Sequence, residues 1–174
     1  MLLADVLKQP SKVIQLLQKG EVIVYPTDTI YGIGCSAYNV RAVNKIRELK
    51  QRESKPFSIW APSVEWVKTH CEVDQKYLDM LPGPVTLIVK LKKPLADNIC
   101  QDTVGVRIPD HPFHHIVHLF GSPIITTSVN VSGEPHITKV SQIPFDVPYI
   151  DAGQIENPPS TIVNTITGEI LRRQ

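Results

Sequence analysis

The stretch YPTDTIYGIG, residues 25–34, marks the junction between a strand and a polar loop. A short β-branched run, EVIVY, precedes the loop, and Pro26 ends this predicted strand because proline cannot donate to a sheet ladder. Thr27, Asp28 and Thr29 then place two hydroxyls and a carboxylate in a row, ahead of two glycines that allow close approach to the backbone. This arrangement suits a small polar ligand. The alternative is an Asx or Ser/Thr turn that joins two strands.

Outside this stretch, apolar runs typical of strands alternate with segments of helical periodicity. A first helix is predicted behind Pro10 and Ser11 with Gly20 as its stop, and a second over residues 40–50 with Asn39 as its N-cap. Further strands are predicted at 57–61, 85–91, 104–108, 123–127, 147–150 and 161–165, and further helices at 63–70, 75–81 and 112–120. The alternation predicts an α/β sheet in a single domain over residues 1–174.

Composition narrows the class of protein. Eighteen basic and seventeen acidic side chains leave a formal charge of +1, so any RNA contact would need a local basic patch. Cys35, Cys71 and Cys100 are far apart and form no CxxC or His-spaced cluster, which argues against a disulfide framework and a structural zinc. The N-terminal stretch lacks the features of a signal peptide, and no apolar run is long enough for a membrane span. We therefore expect a soluble cytoplasmic protein without a membrane partner.

Two more polar clusters stand where predicted elements end. Lys50 and Arg52, with Lys55 nearby, come at the end of the second predicted helix, where cations can meet helix carbonyls or bind phosphate. TTSVN, residues 126–130, follows a predicted strand, and its hydroxyls and amide can hydrogen-bond a nucleotide. Each cluster has a structural alternative, which is helix capping for the first and a polar turn for the second.

Six motifs resemble those of the YrdC-like family, in the same order along the chain. YPTDTIYGIG is similar to the family's P-T-[DE]-[TA]-[VIL]-[YF]-G-[LIV]-G, Lys50 and Arg52 to its Lys-x-Arg, and Ser128 and Asn130 to its Ser-x-Asn. LPGPVTLIV resembles W-P-G-P-[LV]-T, and TVGVRIPDHP resembles T-[VL]-[AG]-[VIL]-R-x-P-x-H-P. PSTIVNTITGEILRR resembles E-S-T-[IV]-[IV]-[DN] with a later [IL]-[LF]-R. Together these matches span nearly the whole chain.

This resemblance implies a fold and a reaction. The fold would be α/β, with a twisted open mixed sheet, flanking helices and a concave ligand-binding face. The reaction would be ATP-dependent synthesis of threonylcarbamoyl-AMP from L-threonine and bicarbonate or CO2, with release of pyrophosphate. Magnesium would accompany the ATP phosphates without a dedicated protein cage, so no metal ligands are expected. A separate transferase complex would then move the threonylcarbamoyl group to the adenosine beside the tRNA anticodon.

The same resemblance implies ligands for both substrates. Lys50 and Arg52 would stabilise phosphate charge during catalysis. The contacts to ATP would be Lys50, Ser54, Thr103, Ser128, Asn130, His136 and Arg172. The contacts to threonine would be Thr27, Trp60, Arg107, Thr126 and Ser160. The substrate carboxylate would lie near Arg107 and Ser160, and its hydroxyl near Thr27.

Some positions depart from the family pattern, among them Thr127 and Val129, which stand where the family usually has P-S-A-N. Trp60 stands in the stretch FSIWA, which aligns with a strand where many relatives have a histidine within V-H-I. Glu53 follows Arg52 where proline is usual. Pro159 replaces the common glutamate before Ser-Thr.

Other functions are compatible with parts of this sequence. The same fold could bind double-stranded RNA or a nucleotide without turnover, although the presence of both Lys-x-Arg and Ser-x-Asn favours the enzyme. YrdC-like domains also occur in carbamoyltransferases that make carbamoyl-adenylate, but those chains carry further domains for which 174 residues leave no room. His114 and His118, four residues apart on a predicted helix, could bind zinc, but no third ligand is apparent and a solvated helix face is the alternative.

Overall fold

The computed structural model describes residues 1–52, 55–95, 99 and 102–172 as an arrangement of short helices and strands. The helices are α1 (Leu3–Lys8), α2 (Ser11–Gln18), α3 (Val40–Lys50), α4 (Val64–His70), α5 (Gln75–Leu78) and α6 (His114–Phe120), with a 3-10 turn at Val140–Gln142. The strands are β1 (Ile23–Tyr25), β2 (Gly32–Gly34), β3 (Ser58–Trp60), β4 (Cys71–Glu72), β5 (Val85–Leu91), β6 (Thr103–Arg107), β7 (Ile124–Ser128), β8 (Thr161–Asn164) and β9 (Ile170–Leu171).

The nine strands of the described residues form one open mixed sheet. Its order is β1-β2-β7-β3-β6-β5-β8-β9, and β4 pairs with the end of β5. β3 is parallel to β6 and β5 is parallel to β8, while the other pairs are antiparallel. The two ends of this order, β1 and β9, do not pair with each other, so the sheet does not close into a barrel. The expected α/β class with an open mixed sheet is confirmed.

Side chains that alternate along the strands give the sheet two different faces. One face carries Ile33, Ile59 and Leu87, which are buried in the larger core with apolar side chains of α3, α4 and α5. The other face carries Tyr25 and Trp60, which are buried with side chains of α1, α2 and α6. Each fully buried large apolar side chain contributes about 1.5–3 kcal/mol to folding. The three helices of the second face cover only one part of it, and the rest remains open.

Several predicted elements need correction. The strand predicted at residues 147–150 is wrong, because this segment makes a single bridge from Tyr149 to Val24 and Pro148 has no N–H to donate. β2, whose residues Gly-Ile-Gly have low strand propensity, was implied only by the turn alternative. The sequence did not predict α1, whose first turn has no side-chain cap. β4 and β9 were also not predicted, since two residues are too short to show alternation. The single-domain organisation over residues 1–174 stays a prediction.

Helix α3 begins and ends as the sequence predicts. The Asn39 side chain accepts a hydrogen bond from the Ala42 N–H at 3.0 Å, which satisfies one of the donors that a helix leaves open at its start. Gln51 ends the helix in the left-handed conformation, with a φ of 49°. This geometry sets the position of Lys50 in the last turn and of Arg52 just beyond it.

Replacing Asn39 should therefore weaken the whole fold. We expect Asn39→Ala to lower the free energy of unfolding by about 1 kcal/mol, because the cap hydrogen bond is lost. Urea denaturation followed by circular dichroism measures this change. Asn39→Asp keeps an acceptor in the same place and should stay close to wild type. Equal destabilisation by both variants would show that the cap is not the cause.

Candidate functional site

The open part of the second sheet face is a cavity of about 410 Å³. This size falls within the range of small-molecule sites. The walls come from the loop after β1, the segment after α3, strands β3, β5, β6 and β7, and the start of β8. The polar side chains that line it are Thr27, Thr29, Tyr31, Arg52, Ser58, Thr86, Thr103, Arg107, Thr126, Thr127, Ser128 and Ser160.

Strand register arranges the floor of this cavity in rows. The middle row joins Thr126, Ser58, Gly105 and Ile88, which are paired neighbours on four adjacent strands. At its centre Gly105 has no side chain, and an added Cβ would collide with the hydroxyl of Ser58. The glycine therefore keeps the middle of the floor deep.

Polar residues continue on both sides of the middle row. Thr103 and Ser128 lie two residues along their strands in one direction, and Arg107 and Thr86 lie two residues away in the other. Two residues of strand correspond to about 7 Å. Side chains expected to bind ATP and side chains expected to bind threonine therefore occupy different rows of one cavity.

The Thr27 hydroxyl organises the loop after β1. Its Oγ1 accepts the N–H groups of Thr29 at 3.1 Å and of Ile30 at 3.2 Å, and donates to the Ile30 carbonyl at 2.7 Å. These bonds form the Ser/Thr turn that was the structural alternative for this stretch. Thr27 also lines the cavity, so the turn and a ligand-binding role are compatible.

Arg107 stands in the cavity wall as half of a buried ion pair. Its Nη2 lies 2.5 Å from Asp28 Oδ1, and the two side chains are 8% and 9% exposed. Nη1 and Nη2 each donate to Thr29 Oγ1 at 3.3 Å. Because two buried charges lose their hydration, such a pair persists only when further hydrogen bonds satisfy it. Sequence reasoning placed Asp28 and Thr29 in a loop suited to a polar ligand but did not predict their contacts with Arg107.

Thr86 and Ser160 form a second buried polar pair. Their hydroxyl oxygens are 2.8 Å apart; Thr86 lies in β5, and Ser160 comes just before β8, which pairs with β5 in parallel. Ser160 was predicted, but Thr86 and Ser58 were missed. Period-two alternation in VTLIVKL could have found Thr86, because it places Thr86 and Ile88 on one face and the core residues Leu87 and Val89 on the other.

Lys50 is buried at 1% exposure and does not line the cavity. Its Nζ donates to the carbonyls of Ser128 and Asn130 at 2.5 and 2.7 Å, and to Asn130 Oδ1 at 3.1 Å. Burial, with a smaller effect of the Arg52 charge, lowers its pKa to about 8. In this structure Lys50 therefore holds the chain that follows β7, rather than facing the cavity as a phosphate ligand would.

Asn130 completes this network behind the cavity. Its Oδ1 accepts the hydroxyl of Ser128 at 2.5 Å, and its Nδ2 donates to the Glu134 carbonyl at 2.5 Å. Ser128 itself lines the cavity. The Ser-x-Asn motif and Lys50 thus act together to fix one cavity side chain.

Arg52 does reach the cavity. Its guanidinium donates to the Pro56 carbonyl at 2.6 Å and to Thr127 Oγ1 at 3.5 Å, and it lies over the Phe57 ring at 5.0 Å. These contacts hold the cation beside β7. Of the two residues in Lys-x-Arg, Arg52 is the one that lines the cavity.

The structure places Trp60 away from the cavity. Trp60 is fully buried in the core under α6, and its Nε1 donates to His114 Nδ1 at 2.9 Å. Burial lowers the pKa of His114, which keeps that nitrogen available as an acceptor. Ser58, two residues earlier on the same face, lines the cavity instead.

Three predicted ligands remain, of which the structure describes two. His136 and Arg172 are exposed and do not line it, and their roles stay predictions. Ser54 lies outside the described residues. His118 Nδ1 is 3.1 Å from the Pro62 carbonyl. Within the described ranges, no three His, Cys, Asp or Glu side chains are grouped as metal ligands would be. No helix in that part of the chain has the length and apolar character to cross a membrane.

Fold and cavity together define an α/β protein with a small-molecule site on an open sheet. The Sua5, YciO and YrdC family model, described as telomere recombination, matches residues 15–174. A threonylcarbamoyl-AMP synthase of Vibrio campbellii is 32% identical over 96% of this chain and 100% of its own length. This chain therefore belongs to the Sua5/YciO/YrdC family.

Solved structures agree with this assignment. Sua5 of P. abyssi, in a complex with L-threonine, is 26% identical, with a TM-score of 0.81 over 91% of this chain. This chain spans about half of that Sua5 chain, at 51%. E. coli YciO, with 22% identity and a TM-score of 0.82 over 97% of this chain and 89% of its own, supports the fold.

Lys50 should make stability depend on pH. Its pKa in the folded protein is about 8, below the ordinary 10.5, so the unfolded chain binds the proton more tightly. The stability from neutral Lys50 is complete above the ordinary pKa and is lost as the pH falls through 8. Between pH 8 and 10, the unfolding free energy of wild type should therefore rise relative to Lys50→Met. Urea titrations at several pH values measure the unfolding free energy of each protein. Lys45→Met, at an exposed lysine of the same helix, is the control. Parallel pH curves for all three proteins would contradict this reading.

Trp60 should matter for stability and not for substrate binding. We expect Trp60→Phe to lower the unfolding free energy by about 1–3 kcal/mol, because it leaves a void and removes the bond to His114. Calorimetric titration with L-threonine should give an affinity within about twofold of wild type, since this side chain does not reach the cavity. Trp66→Phe, in a helix on the opposite face, is the matched aromatic control. A selective loss of threonine affinity in Trp60→Phe would place Trp60 at the substrate.

Proposed function

We propose that this chain synthesises threonylcarbamoyl-AMP from L-threonine, bicarbonate or CO2, and ATP, with release of pyrophosphate. The observation that carries the proposal is that residues expected for threonine and residues expected for ATP line one cavity. Membership of a family that includes threonylcarbamoyl-AMP synthases supports it. The reaction joins two substrates, so a shared site is its first physical requirement.

Threonine would bind at the row of Arg107 and Thr86 and the middle row beside it. Arg107 offers a guanidinium that suits a carboxylate, and its ion pair already places it in the wall. Thr126 and the Thr86–Ser160 hydroxyl pair supply donors and acceptors for the remaining polar groups. The Sua5 complex with L-threonine supports this choice of ligand.

ATP would bind toward the opposite row. There Arg52, Thr103 and Ser128 offer a cation and two hydroxyls to the phosphates. The threonine amine adds to CO2 and loses a proton to water, which gives the carbamate N-carboxythreonine. An oxygen of the carboxylate on nitrogen then attacks the α-phosphorus of ATP, so that a new P–O bond forms and the bond from the α-phosphorus to the pyrophosphate oxygen breaks. Negative charge on the departing phosphates is what a positioned Arg52 would stabilise. No covalent bond to the protein is needed.

Lys50 and Asn130 would support this step from behind the cavity wall. Their hydrogen bonds fix the backbone and the hydroxyl of Ser128. This is a positioning role, in place of the direct phosphate contact that the family motif suggests.

Further parts of the proposal concern the surroundings of the enzyme. Magnesium would enter with the ATP phosphates and keep phosphate and water ligands, which fits a cavity whose described lining offers hydroxyls and arginines. A transferase complex would consume the product in the modification of tRNA. Location in the cytoplasm and contact with RNA through a local basic patch stay predictions.

Pyrophosphate release tests the proposed function. Purified protein with ATP, magnesium and bicarbonate should release pyrophosphate when L-threonine is added, and clearly less with L-serine. Arg52→Ala should lower kcat by about a hundredfold or more, because a charge that stabilises the leaving phosphates is lost. Arg41→Ala, an exposed arginine on α3, is the matched control and should keep wild-type turnover. Release that is equal without threonine, or absent with it, would favour a binding module of the same fold.

A further inference from the structure

Asp28 ties together three segments around the cavity. Its Oδ1 accepts from Arg107 Nη2 at 2.5 Å, and its Oδ2 accepts the Asp110 N–H at 3.1 Å. Its backbone carbonyl accepts from Asn157 Nδ2 at 2.9 Å. These bonds join the loop after β1, the end of β6 and the segment before β8. Asp28 itself does not line the cavity, so it acts on a ligand through other groups.

The neighbour Thr29 adds a second support to the same arginine. Both terminal nitrogens of Arg107 donate to Thr29 Oγ1, while Nη2 also meets Asp28. A planar guanidinium with partners on two of its nitrogens has little freedom to rotate. The charge of Asp28 and the hydroxyl of Thr29 therefore fix both the position and the plane of the cation.

We propose that Asp28 is a positioning residue that presents the Arg107 guanidinium to the carboxylate of the amino-acid substrate. The inference rests on the proposed function, because it takes that carboxylate as the ligand of Arg107. A flexible arginine would lose side-chain entropy each time it bound a ligand, whereas a held one does not. The buried pair also keeps Arg107 in the wall when the cavity holds no substrate.

Asp28 could instead compete with the substrate for Arg107, and the two roles predict opposite changes in threonine affinity. If Asp28 competed with the substrate for Arg107, removal of its charge would free the guanidinium and tighten threonine binding. If Asp28 holds Arg107 in place, removal of its charge weakens binding. The two cases predict changes in opposite directions.

Calorimetric titration of the full chain separates the two cases. We expect Asp28→Asn to raise the Kd for L-threonine by about 10- to 100-fold, which corresponds to one hydrogen bond to a charged group. The Kd for ATP should stay near wild type, because Arg52, Thr103 and Ser128 are not contacts of Asp28. Asp28→Glu should restore most of the affinity. The control is Asp146→Asn, the same substitution at an exposed aspartate that does not line the cavity.

A second ligand shows whether the effect passes through the carboxylate. L-threoninol has the amine and both carbons of the threonine side chain but no carboxylate, so wild type and Asp28→Asn should bind it equally. In addition, Asp28→Asn should cost nothing further in a background of Arg107→Met. Equal losses for threonine and threoninol, or additive losses in the double variant, would mean a structural role only and overturn the proposal. Tighter threonine binding in Asp28→Asn would overturn it too.

A measurement without substrate keeps this inference separate from the proposed function. The ¹⁵N–¹H signals of the Arg107 guanidinium can be assigned by their loss in Arg107→Lys. They should be sharp in wild type and broadened by exchange in Asp28→Asn. Unchanged signals would overturn the positioning role whatever the ligand is. If the Arg107 signals are sharp in wild type but the protein does not bind threonine, the proposed function is overturned, together with the part of this inference that names threonine as the ligand.

Discussion

A β-strand must place its side chains alternately on two sides, and in this protein that constraint separates the core from the site. One face of the sheet carries the larger apolar core, which includes side chains of α3, α4 and α5. The other face changes character within single strands. In β3, Ser58 lines the cavity and Trp60 lies under α6, although both point to the same side. Beyond the helices of this face, the strands carry serine, threonine, glycine and arginine, and these residues line the cavity.

Buried cations are the second determinant of the site. Lys50 and Arg107 are both nearly inaccessible to water, and each would be unfavourable there without partners. Arg107 is paired with the Asp28 carboxylate, so the guanidinium stays charged although it is buried. Within the part of the chain that the structure describes, Lys50 Nζ donates to the neutral oxygens of Ser128 and Asn130, and burial lowers its pKa. Within the Lys-x-Arg motif, Lys50 is thus a structural anchor, whereas the other basic residue, Arg52, lines the cavity.

Much of the fold could be predicted from the sequence because its signals are local. Asn39 caps α3 as its position suggests, and the long β5 shows its alternation plainly. Local signals fail where pairing is decided by distant partners. The glycines of β2 become a strand only because β1 and β7 flank them. The segment around Tyr149 has strand-like residues but forms a single bridge, to Val24.

The candidate site was predictable in its residue types and less so in its geometry. Thr27, Arg52, Arg107, Thr126 and Ser160 were identified by motif, and all line the cavity. Trp60 was chosen by alignment, yet its size and the position of α6 require it to be in the core. Asp28 stands in the identifying motif, but its contact with Arg107 joins residues 79 apart in sequence, which no local pattern reveals.

Those long separations also bear on how the protein acquires its activity. The pair Thr86–Ser160 spans 74 residues, and the bond from Asn157 to Asp28 spans 129. Chain closure over such distances costs entropy, which the contacts of the completed sheet must offset. During synthesis, the loop that begins at Thr27 waits for the segment before β8 to leave the ribosome. The cavity is thus a product of the completed sheet, and a truncated or stalled chain has the loop after β1 without the segment before β8 that bonds to it.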